Sequence, residues 1–178
     1  MARSPATEER GARSLPCVAL GVLLVAAVGY IVLTAGALPP TVATHFDGHG
    51  RPNGWMTREG YRVFMLAFTV GLPLFVTAAI GWLPGRFPRA INLPNREHWL
   101  APERRDAALA YLTRHGCLLG CLMVLFSAAI HALILDAHAS SPPLLASERL
   151  LWMLAGFLIG ITAWALALFR RFAKRRPG

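Results

Sequence analysis

Residues 17–38, CVALGVLLVAAVGYIVLTAGAL, run without a single charged side chain. A helix needs about 20 apolar residues to cross a hydrocarbon core of roughly 30 Å, and this stretch supplies them. Three further blocks of the same kind follow at 61–83, 116–135 and 150–169, and Arg62, at the edge of its block, is the one Lys, Arg, Asp or Glu they contain. Apolar residues make up 55% of the chain and come in blocks rather than at a period of two or 3.6, which is a membrane composition. The expected fold is therefore all-α, a four-helix transmembrane bundle over residues 17–169. A basic N-terminal segment, 1–16, precedes it and a basic tail, 170–178, follows.

The net charge of +9 would suggest nucleic acid in a soluble protein, but here the basic residues sort by side. Arg3, Arg10 and Arg13 precede the first span, Arg86, Arg89, Arg96, Arg104, Arg105 and Arg114 lie between the second and third, and Arg170, Arg171, Lys174, Arg175 and Arg176 follow the fourth. Fourteen of the 18 basic residues thus fall on one face of the bilayer. The positive-inside rule then predicts both termini in the cytoplasm, and the charge has a topogenic explanation that requires no nucleic acid. The lipid bilayer is the expected partner, with the basic tail against anionic headgroups.

A basic start, an apolar run and Ala35-Gly36-Ala37 together mimic a secretory signal. Signal cores span only about 7 to 15 residues, and cleavage would leave three spans and upset the charge pattern, so the first span is read as retained. Cys17, Cys117 and Cys121 all lie near the predicted cytoplasmic ends of spans, where a disulfide framework is not expected. Cys117 and Cys121 sit beside Gly116 and Gly120, and Gly156 and Gly160 repeat the spacing in the last span; small residues in this pattern are read as helix-packing positions.

Between the second and third spans, Ala101-Pro102-Glu103 reads as a helix start, with proline at the first helical position and an acid in the first turn. From Pro102 no breaker intervenes before the third span, so the third helix should project into the cytoplasm. Asn92, Asn95, Trp99, Pro102, Glu103, Arg104 and Arg105 form a candidate surface there for a cytoplasmic regulator or a lipid phosphate.

The first outer connection, 38–60, reads LPPTVATHFDGHGRPNGWMTREG. Its glycines and prolines predict an ordered loop built from turns rather than a free linker, and Phe46 and Trp55 suit the headgroup level. Leu38-Pro39, Thr44-His45-Phe46, Gly50, Pro52 and Gly54-Trp55 resemble the DUF1648 domain, a bacterial inner-membrane module also found in SdpI-type immunity proteins. Asn92-Leu93-Pro94-Asn95, Trp99 and Pro102-Glu103-Arg104-Arg105 resemble a second stretch associated with that group. The resemblance implies a small helical bundle in a bacterial inner membrane and, through the SdpI-type proteins, immunity to a secreted toxin peptide.

His45, Phe46, Asp47, Gly50, Pro52, Gly54 and Trp55 are the candidate ligand- or partner-binding residues of the outer loop. His45, Asp47 and His49 alternate, which in an extended segment would turn them to one side, although the glycine after Asp47 argues for a turn. His131 lies in the third span about one turn from the outer interface. An ionisable side chain at that depth faces the bundle interior and is a functional candidate. Two readings stand open: His131 ties helices together through hydrogen bonds, or His45, Asp47, His49 and His131 hold a divalent metal. The chain has no G-x-S-x-G, H-E-x-x-H or phosphate-cradling glycine loop.

The leading expectation is a non-enzymatic membrane protein without a cofactor whose outer loop recognises an envelope component or toxin peptide. The alternative is a metal-dependent membrane enzyme or metal sensor using the outer histidines. Four spans leave a monomer little room for a transport pathway, and a homo-oligomer would relax that limit.

Overall fold

The computed structural model describes residues 5–87 and 93–173. In chain order the elements are α1 (Pro5–Thr34), a 3-10 turn (Ala35–Ala37), β1 (Thr41–Phe46), β2 (Pro52–Thr57), α2 (Arg58–Gly81), α3 (Leu83–Arg86), α4 (Arg96–Trp99), α5 (Pro102–Ala137) and α6 (Ser147–Ala173). Four of these helices, α1, α2, α5 and α6, are long and apolar enough to cross a membrane. α5 begins at the proline that marked its start in the sequence and continues for 36 residues. At 1.5 Å per residue it is about 54 Å long, well beyond a hydrocarbon core of about 30 Å.

α5 is the hub. It touches α1, α2 and α6, while α6 packs chiefly on α5 and keeps most of its surface turned outward. Small residues set the α2–α5 approach. A Cβ at Gly116 would come within 3.0 Å of the Thr77 carbonyl oxygen, and one at Gly120 within 2.6 Å of the Thr77 hydroxyl. Two hydroxyls reach across the same seam in opposite directions: Thr77 donates to the Gly116 carbonyl at 3.1 Å, and Thr113 shares its proton between the Gly81 carbonyl at 3.1 Å and the Leu109 carbonyl of its own helix at 3.0 Å. Between lipid-immersed helices, where water supplies no drive to associate, close backbone approach and such bonds hold the pair together. Of the second small pair, Gly160 meets Leu122, whereas Gly156 has open space around it and is not a packing position.

One expectation is overturned. Cys17 of α1 and Cys117 of α5 form a disulfide. Redox compartment speaks against a bridge at this end, but the helices place the two Cα atoms 5.0 Å apart, within ordinary bridging range. Cys121, one turn further on, keeps its thiol.

At the end where α1 begins and α6 finishes, the short α4 closes the C-terminus of α6. Asn95, in the left-handed region at φ 54°, donates its amide to the Phe172 and Ala173 carbonyls, and the Trp99 indole donates to the Phe172 carbonyl at 2.9 Å. These bonds satisfy carbonyls that a helix end leaves without intrahelical donors. Arg171 lies over the Trp99 and Tyr111 rings, 5.1 and 5.4 Å from their centroids.

Candidate functional site

At the opposite end, residues 41–57 form an antiparallel hairpin instead of a string of turns. Thr41 pairs with Thr57, Val42 with Met56 and Ala43 with Trp55; the register then shifts on either side of His45, which lies opposite Gly54. A Cβ on Gly54 would sit 2.8 Å from the His45 Cβ, so the close crossing at this irregularity requires glycine. Pro52 is tolerated because a two-stranded hairpin consists only of edge strands.

Asp47 closes the turn. One of its carboxylate oxygens accepts the His49 and Arg51 amides, both at 2.9 Å, and its own amide donates to the Arg51 carbonyl at 2.8 Å. The Arg51 amide, followed by that of His49, holds the Asp47 carboxyl below the usual aspartate range. A carboxyl depressed in the folded state stabilises it above the unfolded pKa and loses that contribution as pH falls through the folded value. Slow exchange of the His49 and Arg51 amides should therefore persist at neutral pH and disappear only under strongly acidic conditions. In an Asp47→Asn chain this acid step should be absent from hydrogen-exchange profiles.

Three contacts seat the hairpin on the bundle. Val42 and Ala43 are wholly buried, Val42 in a core with Ile31, Leu38, Tyr61, Met65 and Ile134. His138, just past α5, accepts the Ala43 amide on Nε2 at 3.0 Å, and its Nδ1–H donates to the Ile134 carbonyl at 2.8 Å. Gly50, at φ 77°, accepts the Leu145 amide at 2.9 Å, and the Leu145 carbonyl lies where any Cβ on Gly50 would be. Arg58 adds a clasp by donating to the Gly36 and Leu38 carbonyls at 3.2 and 2.9 Å. Thr57 caps α2 by accepting the Gly60 amide.

Directly beneath lies His131, fully buried. The Thr34 hydroxyl spends its one proton on the Tyr30 carbonyl at 2.6 Å, so its oxygen accepts from His131 Nε2–H at 2.8 Å. Nδ1 is then the acceptor for the Tyr61 hydroxyl at 2.7 Å. The ring of Tyr30 meets the imidazole edge-on and that of Tyr61 stacks on it. A neutral imidazole uses every proton and lone pair of this chain of bonds. α1, α2 and α5 are thereby joined at one point, as the hydrogen-bonding reading of His131 anticipates.

The structure divides the candidate outer-loop residues by role. Phe46 packs against the core, Asp47 builds the turn, Gly50 and Gly54 permit close backbone crossings, and Pro52 pairs with Phe46. His45 and Trp55 remain displayed, with Trp55 51% exposed. His45 Nδ1–H donates to the Asn53 side-chain oxygen, and Asn53 is exposed beside it. The four candidate metal ligands are not brought together: both His131 nitrogens are engaged inside the bundle, Asp47 is committed to amides, and His45 and His49 lie outside. Among the described residues no group of three His, Cys, Asp or Glu side chains is placed to hold a metal.

Of the candidate surface at the other end, Asn92 lies outside the described residues. Asn95 and Trp99 turn inward to α6, Pro102 starts α5, and Arg105 donates to the Gly85 carbonyl at 3.0 Å. Glu103 and Arg104 line a cavity of about 210 Å³ with His98, Trp99 and Arg171. Thr34, Tyr61, Asn53 and Arg58 were not singled out from the sequence. Thr34, Arg58 and Tyr61 flank the hairpin within a few residues, and that placement is the one signal that could have found them.

The family model of DUF1648, a domain of unknown function, matches residues 22–71, which cover the C-terminal part of α1, the whole hairpin and the first half of α2. The chain is also 36% identical over 67 residues to an uncharacterized protein of Archaeoglobus fulgidus, an alignment that covers 36% of this chain and 37% of that protein. The chain thus spans little more than a third of the relative's length. No solved structure matches.

Proposed function

We propose that this protein is a non-enzymatic recognition protein of the cell membrane, with both termini in the cytoplasm and the hairpin on the outer face. There it would receive an envelope component or toxin peptide. The observation that carries this reading is the contrast between how firmly the hairpin is seated and what it leaves showing. Val42, Ala43 and Gly50 are buried beneath it, yet His45, Asn53 and Trp55 are exposed on its strands. A large aromatic on a rigid platform, flanked by hydrogen-bonding groups, is the usual centre of a protein–peptide contact. The bias of arginines toward the other end supports the orientation.

The test is genetic. Cells lacking the gene should become sensitive to some envelope-active peptide; the wild-type gene should restore resistance, and a His45→Ala, Trp55→Ala gene expressed at the same membrane level should not. Full restoration by the double variant would show that Trp55 serves merely as an interfacial anchor. A reporter fused behind Trp55 that is active inside the cell would remove the orientation, and the proposal with it.

A further inference from the structure

Ile80 of α2, Leu83 of α3, Phe87 just beyond it, Leu112 of α5, and Leu168 and Phe172 of α6 bound an apolar groove of about 590 Å³ at the end remote from the hairpin. Among the described residues no ionisable side chain lines it. The indole of Trp164, the one polar side chain among the described lining residues, already donates to the His115 carbonyl at 2.9 Å. The volume falls within the range of about 300–1,000 Å³ typical of small-molecule sites. A polar solute would leave its hydrogen-bonding groups unpaired against such walls. Hydrocarbon would not.

Charge selects the other half of the occupant. Arg86 stands between groove-lining Pro84 and Phe87, Arg170 directly follows groove-lining Phe169, and both are exposed. Neither residues 79–87 nor residues 163–173 include an aspartate or glutamate. An apolar slot flanked by cations, at the end of a bundle of membrane-crossing helices, matches an amphiphile with an anionic head.

We propose that the groove holds one acyl chain of an anionic phospholipid, with its phosphate held at Arg86 and Arg170. This site is independent of the hairpin and of any ligand there. The test uses the full chain in phosphatidylcholine bilayers containing traces of a phospholipid with a photoactivatable group near the end of one acyl chain. Labelled phosphatidylglycerol should concentrate on Ile80, Leu83 and Leu168 well above equally labelled phosphatidylcholine. Arg86→Gln and Arg170→Gln should each reduce that preference about fivefold, the usual contribution of one arginine near an anionic headgroup. Ala165→Trp, which fills the slot from a lining position, should abolish the excess. The proposal fails if the two lipids label the groove alike, if label spreads evenly around α6, or if the groove crosslinks to a second copy of the chain instead.

Discussion

A His131→Ala chain should unfold at clearly lower denaturant than the parent, having lost on the order of 3 kcal/mol. Two effects contribute, and their sizes differ. Truncating a fully buried large side chain opens a cavity that costs about 2–5 kcal/mol. Stranding the Tyr61 hydroxyl costs less than it would in water, because helices separated in lipid find other partners and such bonds average only about 0.6 kcal/mol. Packing should therefore dominate, and His131→Leu, which refills the space without restoring the bonds, should recover most of the loss. Titration with a denaturing detergent, read by helix content, measures both. If the alanine chain unfolds where the parent does, the Thr34–His131–Tyr61 junction does not hold the three helices.

Gly116→Val should be comparably damaging for the opposite reason. The added carbon would meet the Thr77 carbonyl oxygen at 3.0 Å and the Gly81 nitrogen at 3.5 Å, both backbone atoms of α2, so only separation of the helices could relieve the clash. Overpacking of this kind costs about 1–3 kcal/mol, and the Thr77 and Thr113 hydroxyl bonds would lengthen with it. Gly156→Val provides the control, since nothing lies within 4 Å of its would-be Cβ. Equal midpoints for the two variants in the same titration would refute the assignment of the seam.

The four long helices were legible because a block of apolar residues with no charge has few alternatives in water or in lipid. The long α5 was legible from Pro102 for the same reason: nothing after it breaks a helix. The hairpin was not legible. Its apolar alternation is interrupted at His45, where the register shifts, and its glycines and Pro52 read as turns when strand pairing is unseen. His131 could be singled out by the cost of its position, but its partners could not, since Thr34 and Tyr61 lie 97 and 70 residues away. The disulfide is not legible because Cys17 and Cys117 are 100 residues apart and only the packing of α1 on α5 makes them neighbours. Asn95 and Trp99 read as surface because nothing local reveals that the end of α6 returns to them, over 70 residues later.

The centrality of α5 bears on how such a chain can be inherited. The segment that matches a family, 22–71, includes Thr34 and Tyr61 but not the imidazole between them, and Val42 but not the Ile134 and His138 that secure its strand. Excised, it would present the Thr34 and Tyr61 hydroxyls and the underside of Val42 to lipid with nothing to complete them. The matched segment is thus smaller than the network that secures its hairpin in this chain, and that network runs through α5.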